Sequence, residues 1–169
     1  MTILIILNFT GGRPLEYDME RITRLMAEVE NALQSLYELR GLEEEEFLKN
    51  RHYIASAKYN LLVAIEACID IAYHLISRNK FRLPSDYADS FRVLNERGLI
   101  DDDLTKRLIS MARFRNRLVH LYWEVDDRMI YLIISEDIKD IEEFISGLVE
   151  VLSGGDSNEG PHNGRRLRN

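Results

Sequence analysis

The stretch IASAKYNLLVAIEACIDIAYHLIS, residues 54–77, decides the fold. Ile54, Ala57, Leu61, Ala64, Cys68, Ile71 and Leu75 recur at alternating steps of three and four, the period of one helix face. Leu62, Ile65, Ile69, Ala72 and Ile76 form a second stripe beside the first. One stripe seats a helix on one neighbour, whereas two stripes need neighbours on two sides. The spacing predicts a central bundle helix from about Glu43 to Arg78 and an all-α protein.

The flanking segments fit that frame. Ile22, Leu25, Val29, Ala32 and Leu36 predict a first helix from about Tyr17 to Leu39, with Gly41 as its C-cap signal. The glutamates after Gly41 favour the positive end of the following helix. Pro84 and Ser85 break the central helix and cap a short one that runs through Arg97 and ends at Gly98. The acids Asp101–Asp103 open a helix that continues to about Trp123. RMIYLIISED, residues 128–137, has an ambiguous period and is read as helix because its neighbours are helical. Ile138, Ile141, Ile145, Leu148 and Leu152 predict the last helix. The expected architecture is an antiparallel helical bundle of four main helices plus one or two short ones. Residues 1–16 read as an extended arm or leader, 17–152 as the helical domain and 153–169 as a polar flexible tail.

Composition narrows the function classes. With 169 residues, 46% hydrophobic and 30% charged, the chain is sized for one globular domain rather than a disordered segment. A single cysteine excludes an internal disulfide and a multi-cysteine metal site, and fits a reducing compartment. The apolar N-terminus MTILIILNF lacks the basic flank and length of a signal peptide. No run approaches the roughly 20 apolar residues of a bilayer span, so a cytoplasmic protein without membrane partners is expected. The net charge of -7 is wrong for a general polyanion binder, and any nucleic-acid contact must come from a local basic patch. One exists: Lys106, Arg107, Arg113, Arg115 and Arg117 lie in a segment, Leu104 to Trp123, that has no acidic residue. The same charges also suit a solvated helix face.

Within that segment Leu104, Leu108, Met111, Arg115, Leu118 and Tyr122 follow the spacing 4, 3, 4, 3, 4. Arg115 thus occupies a core position of a heptad-like seam. A buried, unpaired guanidinium there would cost several kcal/mol. A carboxylate partner, a wet cleft or an interface with a second chain would each resolve the anomaly. Asn116 and His120, four apart, share a face, with Arg115 in reach. One cation, one amide and one imidazole around a single concavity suit phosphodiester cleavage by a neighbouring 2′-hydroxyl. Equally, Arg115 could be structural, paired to Glu66 or Asp70, with His120 an ordinary helix histidine. Glu66, Asp70 and His74, each four apart, draw a polar line on the central helix. That line is either its solvent face, a set of carboxylates that orients Arg115, or a metal-ligand set.

RNRLVHLYWEVD, residues 115–126, resembles the signature of the HepT-like branch of the HEPN ribonucleases: Arg, four residues, His, one residue, Tyr. Here those are Arg115, His120 and Tyr122, with Asn116 directly after the Arg. AIEACIDIAYHLIS, LPSDYADSFRVLNERGLI and EDIKDIEEFI are similar to the family's corresponding segments, in the same order, from about Tyr17 to Leu152. The resemblance implies a HEPN helical bundle that dimerises with its motif helices facing, forming a composite, metal-independent and cofactor-free RNase cleft. It implies His120 as the acid/base group, Arg115 as the phosphate ligand and Asn116 as a positioning residue, while Glu66 and Asp70 enter as supporting residues only through the spacing on the central helix. It further implies a toxin whose antitoxin, a minimal nucleotidyltransferase, transfers AMP to Tyr122. Two other readings compete. One is a non-catalytic helical module that binds a nucleotide or scaffolds the nucleotidyltransferase. The other is a metal-dependent hydrolase using Glu66, Asp70 and His74.

Overall fold

Helix α3, Arg51–Arg78, carries the two apolar stripes, and every member except the half-buried Leu62 is buried. The computed structural model describes residues 3–10 and 13–153, with side chains from Leu15 onward. Around α3 are arranged α1 (Met19–Arg40), α2 (Glu44–Lys49), α4 (Tyr87–Glu96), α5 (Asp102–His120), α6 (Asp127–Glu136) and α7 (Ile138–Ser153). α3 touches all of them, with α1 as its most extensive partner, so two stripes did mean several neighbours. The all-α bundle follows from that burial. RMIYLIISED is helical, as its surroundings suggested, and buries Ile130 and Ile134.

The sequence expectation of one helix from Glu43 to Arg78 is corrected. The chain breaks at Asn50, whose backbone is extended and whose side chain accepts the His52 N–H at 2.9 Å. Asn favours this cap over helix propagation, because its amide competes for backbone hydrogen bonds. The break lets α2 fold onto α6, where the fully buried Phe47 ring lies 5.3 Å from that of Tyr131. A second correction concerns α4. Its N-cap is Asp86, which accepts the Asp89 N–H at 2.7 Å, not Ser85. Ser85 instead donates its N–H to the buried Asp89 carboxylate, which also holds Arg82.

The first residues form an antiparallel hairpin of β1 (Ile3–Thr10) and β2 (Arg13–Asp18). Its inner strand is seated on the bundle. Leu15 and Tyr17 are buried, and Glu16 exchanges backbone bonds with the Asn79 side chain at 2.8 and 2.9 Å. Asp18 caps α1 and donates its N–H to Nε2 of the buried His74 at 2.9 Å. The tail expected from residue 153 lies, apart from Ser153, outside the described residues.

By length and composition an 18-residue window of α3 is also apolar enough to cross a bilayer. This corrects the expectation that no segment would be. The helix is apolar because it is the bundle core, and 61% of that window is buried against the other helices.

Gly98, at φ +70°, ends α4 by letting its own N–H reach Asn95 O (2.8 Å) and the next N–H, of buried Leu99, reach Leu94 O (3.0 Å). A Cβ there would meet nothing within 4 Å, so any penalty for one is conformational. Gly98→Ala is expected to lower the unfolding free energy by about 1–2 kcal/mol, the cost of left-handed backbone for an L-residue. Gly98→Asn, which tolerates this conformation, should lose less. Urea midpoints measure both, and an Ala variant as stable as the parent would refute the account.

His74 yields a pH prediction. Its burial, and then the positive charges of Arg21 and Arg78, hold its pKa below the usual 6.5, with Asp18 opposing. Between the lowered value and 6.5 the unfolded chain binds more protons than the folded one. The stability contribution is therefore complete above 6.5 and is lost as pH falls through the folded value. Unfolding midpoints should drop on acidification from about pH 7.5 to 5.5, and His74→Gln should flatten that drop. An equal drop in the variant would show that another group is responsible.

Candidate functional site

The candidate site lies where α5 ends. The α-helix stops at His120 rather than near Trp123, because Leu121 leaves helical geometry at φ −130°, ψ 37°. A 3₁₀ turn, Tyr122–Glu124, follows, and the Asp126 carboxylate then accepts the N–H groups of Arg128 and Met129 to start α6. Tyr122 therefore leaves the seam on which its spacing placed it and stands 46% exposed. The other apolar seam positions, Leu104, Leu108, Met111 and Leu118, are buried.

Arg115 sits on the seam with its side chain 13% exposed, and its partner is Glu66 of α3. Nε donates to Glu66 Oε1 at 2.6 Å, Nη2 donates to the same oxygen, and Nη1 donates to Asn116 Oδ1 at 3.2 Å. The guanidinium also lies 4.9 Å from the centre of the Tyr87 ring, which itself meets Tyr73 edge-on. Of the two carboxylates considered for Arg115, Glu66 makes the bond. Asp70 is one turn further along α3, within Coulombic reach only. Partial burial first, and then the Glu66 charge beside it, raise the Asp70 pKa, with Arg21 and Arg115 opposing.

His120 is exposed, and no hydrogen bond joins it to Arg115. Five residues of helix turn the two about 140° apart around the axis. One chain thus points Arg115 toward α3 and His120 toward solvent, rather than gathering both around one concavity. Asn116 is exposed between them.

The metal reading loses its ligand set. His74 is turned to the Asp18 backbone and Glu66 to Arg115. Among the described residues no group of three or more His, Cys, Asp or Glu side chains is placed to hold a metal ion.

Sequence reasoning missed Lys58. Its side chain is only 7% exposed, and its ammonium pairs with Asp127 at 2.8 Å and donates to Val125 O at 3.3 Å. It also lies 4.7 Å from the centre of the Tyr122 ring. It fixes the turn that carries Tyr122 from beneath. A signal was available: Lys58, Leu62, Ile65, Ile69, Ala72 and Ile76 continue the second stripe back by one step of four. Lys58 interrupts an apolar stripe much as Arg115 does. The Tyr87 contact carried no comparable signal, since only the packing of α4 brings that ring to α5. Beside the turn a cavity of about 670 Å³ is walled by Lys58, Tyr122, Trp123 and Arg128. These contacts, Glu66 to Arg115 and Lys58 to the turn, also show that α5 runs antiparallel to α3.

Known proteins are similar to this chain in sequence and fold. Residues 22–148 match the family described as ribonuclease HepT-like. An mRNA nuclease HepT of Shewanella oneidensis is 35% identical over 86 residues, 51% of this chain and 65% of that protein, just under two thirds of its length. A candidate RNase of Archaeoglobus fulgidus is 30% identical over 132 residues, covering 78% of this chain and 96% of the relative. A solved structure of a tri-AMPylated Shewanella oneidensis HEPN toxin in complex with MNT antitoxin matches with a TM-score of 0.72 at 26% identity. That match covers 78% of this chain and 98% of the other. The cytosolic Bacillus subtilis protein YutE, 18% identical with a TM-score of 0.71 over 87% of this chain and 96% of its own, shares the fold. The matched residues 22–148 take in α2 to α6 whole and most of α1 and α7, and the chain belongs to the ribonuclease HepT-like family.

Proposed function

We propose that the protein is a metal-independent endoribonuclease, the toxin of a HEPN/nucleotidyltransferase toxin–antitoxin pair, acting in the cytoplasm as a homodimer. The observation that carries the reading is the state of Arg115 within a ribonuclease HepT-like chain. Three of its five N–H groups are held, two by Glu66 and one by Asn116, which leaves two to meet an anion in a fixed direction. A structural ion pair needs neither an adjacent amide nor an exposed imidazole one turn on. The names of relatives, mRNA nuclease and tRNA nuclease, favour cleavage over a non-catalytic scaffold.

In the proposed reaction His120 removes the proton of an RNA 2′-hydroxyl, whose oxygen attacks the adjacent phosphorus. Arg115 stabilises the charge that gathers on the phosphoryl oxygens, and Asn116 and Glu66 keep the guanidinium aimed, with Asp70 in electrostatic support. The new O2′–P bond forms as the P–O5′ bond breaks, and the leaving oxygen takes a proton. The products are a 2′,3′-cyclic phosphate and a 5′-hydroxyl. Because one chain points Arg115 and His120 apart, facing α5 helices of two copies would complete the cleft.

The MNT antitoxin in the solved complex supports a nucleotidyltransferase partner for this chain. Tyr122 is the acceptor: its phenolic oxygen attacks the α-phosphorus of a nucleoside triphosphate, pyrophosphate leaves, and AMP remains beside His120. The added phosphodiester places a negative charge and bulk where RNA would enter.

His120→Ala should lower RNA cleavage by about 10²-fold or more, with the dimer retained on size exclusion, and Arg115→Lys should lower it by about 10²-fold. Cleavage by His120→Ala at the parent rate would sink the catalytic assignment. Intact-mass measurement after incubation with the nucleotidyltransferase and ATP should show AMP on the parent and none on Tyr122→Phe. AMP on that variant would move the acceptor elsewhere.

A further inference from the structure

The five cations of α5 divide into two groups in three dimensions. Arg107 is neutralised by Asp140, Glu143 and Asp103, and Arg115 by Glu66. Lys106, Arg113 and Arg117 are exposed and have no acidic partner among the described residues. At 100° per residue the three fall within about 40° of one another, on the side of α5 opposite its buried face. They extend over about 16 Å of helix axis, and His120, at the end of α5, lies within about 60° of all of them.

Fold stability does not explain the stripe. Arg113 and Arg117 are like charges four apart, an arrangement that destabilises a helix by a few tenths of a kcal/mol. The helix dipole rewards Arg117 in the last turn but not Lys106 or Arg113. A chain with net charge -7 has acids enough to pair every cation, as it does for Arg82, Arg107 and Arg128. On this face of α5 Asp102 of the first turn is acidic, but it accepts from the Asn95 amide at 3.0 Å, and no ion pair joins it to Lys106, Arg113 or Arg117 among the described residues.

We propose that Lys106, Arg113 and Arg117 form a track for the phosphate backbone of single-stranded RNA, leading the strand along α5 to His120. The proposal rests on the ribonuclease reading above and adds the path by which substrate arrives. Each contact is sequence-independent, since a cation reads phosphate charge and not base identity. The track therefore supplies affinity for length, while the choice of cleavage position belongs to the residues around the turn.

The test measures binding of a single-stranded RNA made uncleavable by 2′-deoxy substitution, across a salt series, for the full chain. Arg113→Gln with Arg117→Gln is compared with a charge-matched control, Lys49→Gln with Arg51→Gln, exposed residues elsewhere on the surface. The stripe variant should bind more weakly, and its slope of log affinity against log salt should be shallower by about 1.4, roughly 0.7 for each lost phosphate contact. The ratio of kcat/KM for a long RNA to that for a dinucleotide should also fall in the stripe variant alone. Equal affinities and slopes for the two double variants would overturn the track. So would an unchanged RNA slope with weaker capture of the nucleotidyltransferase, which would assign the stripe to a protein contact. If the parent cleaved no RNA, the ribonuclease reading would fail, and the salt slopes would still decide whether the stripe holds RNA.

Discussion

A helix buried on two sides tolerates a polar side chain only where that side chain finds a partner, and the rest of the structure hangs on how α3 meets this constraint. Lys58, Glu66 and His74 stand eight residues apart on α3, about 12 Å along its axis for each interval. Each reaches a different part of the chain. Lys58 takes the α5–α6 turn, Glu66 takes Arg115, and His74 takes the junction of the hairpin and α1. Eight residues leave about 80° of rotation between successive members, so the three look out on successive sides. The apolar stripes make α3 the centre of the bundle, while these three polar contacts set how the surrounding pieces are aligned along it.

Their role is alignment more than stability. An exposed pair such as Lys49–Glu45 contributes between nothing and about 1 kcal/mol. A buried charge gains little net stability over an apolar residue, yet removing its partner is costly, about 3–5 kcal/mol when both are fully buried. Lys58 is 7% exposed and Asp127 is 47% exposed, so that pair lies between the limits. Such a contact penalises wrong arrangements: a turn displaced from Lys58 would leave its ammonium unpaired in an apolar setting. The 3₁₀ turn is short and mostly exposed, with Val125 as its buried anchor, and it would otherwise have little to hold Tyr122 in place.

The two stripe cations, Arg115 and Lys58, flank the end of α5 from within, while His120, Arg113 and Arg117 face outward from the same helix. One helix thus separates charges fixed by the fold from charges left available. Phosphodiester chemistry calls for both kinds, a guanidinium whose direction does not change and mobile cations that capture a flexible strand. The turn after His120 brings the Tyr122 ring to within 4.7 Å of the Lys58 ammonium.

Periodicity in the sequence determined the existence of the helices, the centrality of residues 54–77 and the anomaly at Arg115, because apolar spacing reports one element's own buried face. Arg115 was legible for the same reason, as a charge on an apolar seam, whereas Asn116, His120 and Tyr122 were singled out with it by family resemblance. Tertiary structure decided which partners those residues meet. Glu66 and Asp70 are equivalent by spacing, and only the placement of α5 against α3 selects Glu66. His74 looked like the third member of a polar line, but the docked hairpin takes its imidazole. The break at Asn50 was local in cause, yet it is settled by Phe47 finding Tyr131 on a helix far along the chain. Tyr122 left the seam because the turn is pinned by a lysine on another helix. Helical period is a short-range property, whereas the choice of partner for a buried charge depends on which surfaces pack, and a single sequence read along its length does not contain that pairing.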